Sequence, residues 1–426
     1  LTILLVSLAI FLAVSVPIAI TLGLSSLLLM QVNDISWVTM AQNTFESINS
    51  FTLLAIPFFI LAGHIMQVGG ISERLMDFAS ALLSWVRGGV GSVAVLTTMI
   101  FSTMSGSSSA TTAAISPTMI PAMEKKGYPK RFAAATSASA GELGSVIPPA
   151  INMIVLGMVA NISIGSLFLA GIIPGIMVGL SLIIVVMVIA KIKDFDPVTK
   201  VDKVQWFKNV LKTFADAFFA LLMPAIILGG IYMGWFTPTE AAVIAVVYGL
   251  IVSLLIYRDL KLKDLFPIFK KAAFTSSIIM IIVAFAGIFG HILTTERVPH
   301  QLGEFIGSIT ENPIIFLLLA NIMLLVIGMF IEAIAAIVII VPILAPLAAD
   351  FGIDPIHFGM IMILNLAIGM ITPPVGVNLY VACQVANLRI EQIIRPVSIF
   401  FGVLIVNLLL VTYLPVLSTW LPSLGD

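Results

Sequence analysis

The chain has 426 residues, 60% of them hydrophobic and only 10% charged, with a net charge of −1 at neutral pH. A soluble domain carries roughly 25% charged residues, so soluble and disordered classes are excluded, and the charge balance gives no sign of nucleic acid. Cys383 is the only cysteine, which rules out an internal disulfide or a cysteine metal cluster.

In chain order, apolar stretches fall at 1–31, 50–68, 88–122, 132–160, 163–190, 213–235, 241–257, 272–293, 313–348, 358–386 and 396–421. Most reach the roughly 20 residues needed to cross a bilayer. Continuous apolar runs point to helices, because barrel strands alternate. The first stretch has no signal-peptide cleavage pattern and reads as one or two membrane helices; opening on Leu1, the chain is expected to lack its true start. Lysines and arginines cluster at Arg74 and Arg87, at 125–131, at 191–212, at 258–271, and at Arg389 and Arg395. Placing all of these in the cytoplasm satisfies the positive-inside rule, with Arg297 as the exception. The loops 32–49, 236–240, 294–312 and 349–357 then lie outside. Segments 88–122 and 313–348 must each enter and leave on one side, as re-entrant hairpins. The stretch 191–212, with six lysines and Trp206, reads as an amphipathic interfacial helix joining two halves.

The chain also resembles itself. Gly63-His64-Ile65 recurs as Gly290-His291-Ile292, and Pro117, Pro121 and Gly127 recur as Pro342, Pro346 and Gly352. Gly144-Ser-Val-Ile-Pro148-Pro149 matches Gly369-Met-Ile-Thr-Pro373-Pro374, and Val159-Ala160-Asn161 matches Val385-Ala386-Asn387. Charge inverts between the copies: 124–131 holds four basic residues, whereas 349–357 holds two aspartates and no lysine or arginine. Inverted repeats are a device of secondary transporters; duplication without transport is the plain alternative. The expected fold is therefore an all-α polytopic membrane protein of two inverted-topology repeats, each with a re-entrant hairpin and a broken transmembrane helix.

Each copy has two helix-breaking places. In the first, 102–112 is dense in serine and threonine around Gly106, and Pro148-Pro149 removes two amide donors after Gly144. Free carbonyls and hydroxyls are hard oxygen ligands suited to Na⁺, held by unwound backbone in transporters. A first sodium site is expected from Ser102, Ser105 and Ser107 with Gly144, Ile147 and Pro148. The bland alternative is that these hydroxyls bond back to their own helix. A second site is expected from Gly328, Glu332, Gly369, Thr372 and Pro373. Glu332 and Glu142 are intramembrane carboxylates, open between an ion-related role, a proton carrier and a half-helix cap. An anionic substrate would meet half-helix N-termini, lined by Ser108, Ser109, Thr111, Asn152 and Asn378 with Pro149 and Pro374. Arg297 could attract an anion or be an exposed loop charge. No metal constellation of histidines, no HExxH and no P-loop occurs, so no ATP hydrolysis is indicated.

Ser105 through Ser116, 141–150 and 369–378, with 55–63 and 234–241, resemble the large membrane subunit of tripartite ATP-independent periplasmic (TRAP) transporters across essentially the whole chain. The resemblance implies a Na⁺-driven, elevator-type core of a bacterial inner-membrane importer. It also implies two partners, a small four-helix membrane subunit and a periplasmic binding protein, and a carboxylate-bearing organic acid such as a C4-dicarboxylate or sialic acid. Domains are then expected as N-terminal scaffold helices at 1–49, the first repeat at 50–190 (broken helix 132–160), a linker with interfacial helix and scaffold pair at 191–271, and the second repeat at 272–426 (broken helix 358–386). A single-subunit Na⁺/dicarboxylate symporter is the main alternative. An intramembrane serine protease fails on Gly106, which is followed by three serines instead of the Gly-x-Ser-Gly pattern, and a channel does not explain paired broken helices.

Overall fold

Pro17 has no amide hydrogen to donate, and the first apolar stretch divides there into Thr2–Ala13 (α1) and Ile18–Val32 (α2). A computed structural model describes residues 2–14, 16–32, 36–83, 85–197 and 202–424. Next come Trp37–Ile48 (α3), Ala55–Val68 (α4) and Ile71–Leu83 (α5), then a hairpin of Gly89–Ser105 (α6) and Ser108–Lys125 (α7). Lys130–Gly141 (α8), Leu143–Val146 (α9) and Ile151–Ala160 (α10) follow, bent by 41° at the Pro-Pro break. Ile164–Lys193 (α11), Lys203–Tyr232 (α12) and Pro238–Ile251 (α13) are succeeded by Leu262–Thr295 (α14) and Val298–Ile309 (α15). The chain closes with a second hairpin, Pro313–Phe330 (α16) and Ala333–Asp350 (α17), then Pro355–Gly369 (α18), Val377–Ala386 (α19), Ile390–Tyr413 (α20) and Val416–Thr419 (α21). Among the described residues, eight helices are long and apolar enough to cross a membrane, or nine with the bent pair.

Several elements differ from expectation. The loops expected at 32–49 and 294–312 contain α3 and α15, and α5 was not anticipated. Each of these short helices is polar on one side, so no continuous apolar run marks it. The lysine-rich stretch is not a separate interfacial helix: Lys203, Lys208 and Lys212 occupy the first turns of α12, which runs unbroken to Tyr232. The physical reason is local. Asp202 accepts from the Val204 amide at 3.1 Å and starts the helix, and no proline follows before Pro224. The upstream residues 198–201 of that stretch lie outside the described residues. Trp206 donates its indole N–H to the Ala81 carbonyl at 2.9 Å, holding α12 against α5.

Both hairpins begin and end together. Asp196 accepts from the Gly88 amide at 3.4 Å through its carbonyl and donates its own amide to Lys126 at 3.1 Å. Its carboxylate also accepts from the Val90 amide at 2.8 Å. Residues before α6 and after α7 thus meet at one point, beside the Arg87–Asp194 ion pair. At the second hairpin, Phe316 near the start of α16 stacks on Phe351 just past α17, with centroids 4.6 Å apart. The return helix of each hairpin crosses to the other half, α7 packing on α19 and α17 on α10. Between them lie α8, buried from Phe132 to Gly141, and α18, buried from His357 to Gly369. Helices apolar or small on every side belong in the centre of a bundle.

Candidate functional site

The tip of the first hairpin is Gly106, at φ 62°, followed by Ser107. The Gly106 carbonyl accepts the Ile151 amide at 3.0 Å, so the amide that opens α10, two residues past the Pro-Pro break, docks on the tip. Side chains extend that junction: Ser108 and Ser145 share a hydrogen bond, and Asn152 donates to Ser145 at 2.9 Å. At Gly144 a Cβ would stand 2.6 Å from the Ser107 carbonyl oxygen, closer than real side chains come. Only glycine lets the two backbones approach so closely. Of the first expected sodium group, Ser107 and Gly144 are thus in contact. Ser105 donates to the Ser107 carbonyl at 3.3 Å, and Ser107 pairs with Ser109 at 3.4 Å. Ser102 instead donates to Thr98 of its own helix at 2.6 Å, and Ile147 turns its side chain to Gly175. Pro148 is buried at the break, and the Pro149 carbonyl lies against Gly106.

The second junction has the same layout and different chemistry. A Cβ on Gly369 would fall 2.5 Å from the Cα and carbonyl carbon of Gly328, so tip and break meet as bare backbone. Glu332 is the N-cap of α17 and accepts from the amides of Ile334 at 2.9 Å and Ala335 at 3.4 Å. Thr372, in the break just past α18, donates to the Ile368 carbonyl of that helix at 2.8 Å. Pro373 is half-buried and Pro374 exposed. Asn378 is fully buried and donates to Glu142 at 2.9 Å, a bond between the two halves.

A cavity of about 360 Å³ joins the two tips. One wall carries Ser105, Ser107, Ser108, Ser109 and Asn152 of the first half with Glu332 of the second. The opposite wall is α4, through Gly63, His64 and Gln67, and α14, through Lys271 and Thr275. Lys271, His64 and Gln67 were missed in the sequence, where they sit in ordinary apolar helices near a basic end; the repeated Gly-His-Ile motif was the available signal for His64. Thr111 is buried beside Gly144, away from the cavity wall. Arg297 caps α15 at φ 54° and does not line this cavity.

The arrangement offers hydroxyls, carbonyls and unpaired helix-start amides to a small solute, with one ammonium and one carboxylate on opposite walls. Residues 5–417 match the family described as Tripartite ATP-independent periplasmic transporter, DctM component. The C4-dicarboxylate TRAP transporter large permease protein DctM of Pseudomonas aeruginosa is 42% identical, covering 95% of this chain and 94% of that protein. The isethionate TRAP transporter permease protein DctMQ of Oleidesulfovibrio alaskensis is 43% identical over 96% of this chain, which spans 64% of that longer protein. In fold, the chain is similar to the crystal structure of the Alcanivorax borkumensis YdaH transporter, with TM-score 0.63 at 14% identity, covering 88% of this chain and 86% of that one.

Proposed function

Because this chain belongs to the DctM-component family of tripartite ATP-independent periplasmic transporters, we propose that it imports a carboxylate-bearing organic acid by coupling its movement to Na⁺. As a family member it is a multi-pass bacterial inner-membrane protein and a transport subunit, not an enzyme. The observation that carries the proposal is the single cavity reached by both hairpin tips. Ser107 and Gly144 hold one Na⁺, and the Gly328–Gly369 junction beside Glu332 holds another. The substrate carboxylate takes the unpaired amides at the start of α7 and the hydroxyls of Ser108 and Ser109. Glu332 makes the coupling physical. An anion entering beside a second carboxylate is repelled in a medium of low dielectric, and a cation bound first removes that cost.

The interlocked hairpins form the moving body, and α4, α12, α13 and α14 form the scaffold past which it slides in an elevator motion. The cavity lies on the border between them, and a border is where sliding changes access. The acid is of the C4-dicarboxylate or sialic acid class, delivered by a periplasmic binding protein. A small membrane subunit completes the complex; that the chain spans only 64% of the DctMQ relative supports a further part of this kind. Uptake into proteoliposomes should need the binding protein, the small subunit and an inward Na⁺ gradient. Uptake unchanged when K⁺ replaces Na⁺ overturns the coupling.

A further inference from the structure

Two buried side-chain amides join the second hairpin to the helix it meets. Asn321 lies on α16 with 3% of its surface exposed, and Asn365 lies fully buried on α18. Asn365 Nδ2 donates to Asn321 Oδ1 at 2.6 Å and to the Ile361 carbonyl at 2.8 Å. A carbonyl only accepts, so the orientation of the Asn365 amide is settled. Asn321 Nδ2 then donates to Thr412 Oγ1 on α20 at 3.1 Å. The Thr412 carbonyl accepts from His357 Nε2 at 3.1 Å, and His357 Nδ1 meets Ser418 of α21 at 2.8 Å. The amide pair is thus anchored at both ends to helices outside the hairpin.

Its position bears on the second junction. Asn365 precedes Gly369 by one turn and Asn321 precedes Gly328 by two, so each amide shares a helix face with its glycine. Along the axes the amides stand about 6 Å and about 10 Å from those glycines, at 1.5 Å per residue. The glycine contact itself permits close approach but supplies no side chain to fix it. The first half is built otherwise. The starts of α7 and α17, and the breaks at Gly144 and Gly369, are each 225 positions apart. At that spacing Leu96 and Ala140 stand where Asn321 and Asn365 do. An apolar pair therefore fits this place in the layout, and there Ser108, Ser145 and Asn152 stitch the junction directly. The amide pair is not the cheaper filling either, because Asn365 Oδ1 is buried without a partner among the described residues. Stability alone does not account for it.

We propose that Asn321 and Asn365 are positioning residues for the second ion site. Their bridge sets α16 against α18 and so holds Gly328 and Gly369 in the register that presents backbone oxygen to a cation. The inference rests on the reading that this junction takes Na⁺. Ligands supplied by backbone are only as well placed as the helices that carry them, and groups that orient ligands from outside the coordination shell commonly change metal affinity tenfold or more. In the first half that restraint lies at the tip; in the second it lies one to two turns away.

The test transplants the pair of the first half into the second, as Asn321→Leu with Asn365→Ala. Either change alone strands a buried amide and should lower the melting temperature, whereas removing both partners should largely restore it. A fastening role would then be repaired. A positioning role would not: the double variant should need about tenfold more Na⁺ for half-maximal uptake, with the substrate KM at saturating Na⁺ unchanged. Amide hydrogen exchange of the purified chain in lipid nanodiscs gives a second readout that needs no Na⁺. Exchange should quicken at 328–333 and 369–372 and stay as in wild type at the first tip, 105–109. A folded double variant with wild-type Na⁺ dependence, or with wild-type exchange at both segments, overturns the proposal. Should the double variant not fold, Thr412→Val removes only the acceptor of Asn321 and should shift both readouts two- to threefold in the same direction; no shift in either overturns the proposal. Wild-type uptake indifferent to Na⁺ would instead sink the coupling reading, and exchange at 328–333 and 369–372 would still decide whether the bridge positions the junction.

Discussion

Two hairpin tips face the same cavity and solve the same backbone problem differently. At the first, Ser107 stands at the N-cap of α7 and makes no side-chain capping bond, and the junction is stitched by Ser108, Ser145 and Asn152. At the second, Glu332 stands at the N-cap of α17 and takes two amides, while the junction is a close approach of Gly328 and Gly369. A helix start left uncapped keeps its amides for an incoming anion. A helix start capped by a carboxylate has spent them and brings negative charge to the cavity. The halves thus share a layout but not an electrostatic character: the first tip leaves its helix start without a side-chain cap, and the second brings a carboxylate to the cavity.

The largest effect should come from filling the backbone junctions. Gly369→Val puts branched carbons where Gly328 backbone stands and should destabilise the chain by about 3 kcal/mol, with uptake lost and melting in detergent markedly lowered. Gly144→Ala drives a methyl against the Ser107 carbonyl and should also abolish uptake. If Gly144→Ala transports normally, the close approach at the first tip has no functional meaning and the comparison breaks. Next in size is Glu332. Its replacement by Ala removes a cap worth about 1 kcal/mol, whereas Gln keeps an acceptor and loses only the charge. Glu332→Gln should therefore fold as wild type and require about tenfold more Na⁺ for half-maximal uptake, equivalent to about 1.4 kcal/mol. Equal Na⁺ dependence in the two proteins would reduce Glu332 to a cap.

Much of this layout was legible in the sequence because glycine, proline and serine act locally. Gly106, the two Pro-Pro pairs and the Gly144 and Gly369 positions mark breaks by their own backbone chemistry, with no need of neighbours. Other features depend on juxtaposition and left no local trace. The Asn378–Glu142 bond joins residues 236 positions apart, and their pairing crosses from one half to the other. Asn378 therefore read as a substrate ligand when its amide is spent inside the core. Lys271 read as the cytoplasmic end of a span, since nothing in 258–271 shows that α14 continues through it and turns it to the cavity. The amphipathic helices α3, α5 and α15 escaped for another reason: half of each surface is polar, so hydropathy over a window averages them away.

The smaller effects sharpen the comparison further. Lys271 is the ammonium on the cavity wall opposite the first tip, and it is exposed. An exposed charge pair contributes about 1 kcal/mol at most, so Lys271→Gln should raise the half-saturating substrate concentration about fivefold and leave Na⁺ dependence alone. Ser107→Ala is the most discriminating change because it should do almost nothing to stability. Among the described residues its hydroxyl caps no amide and pairs with Ser109, so the loss should stay within about 0.5 kcal/mol. A sodium ligand at Ser107 can act through its carbonyl, which lies against Gly144, or through its hydroxyl. Only the hydroxyl is removed by alanine. Half-maximal Na⁺ raised several-fold assigns the hydroxyl; an unchanged value leaves the carbonyl as the ligand, and the first tip then works through backbone as the second does.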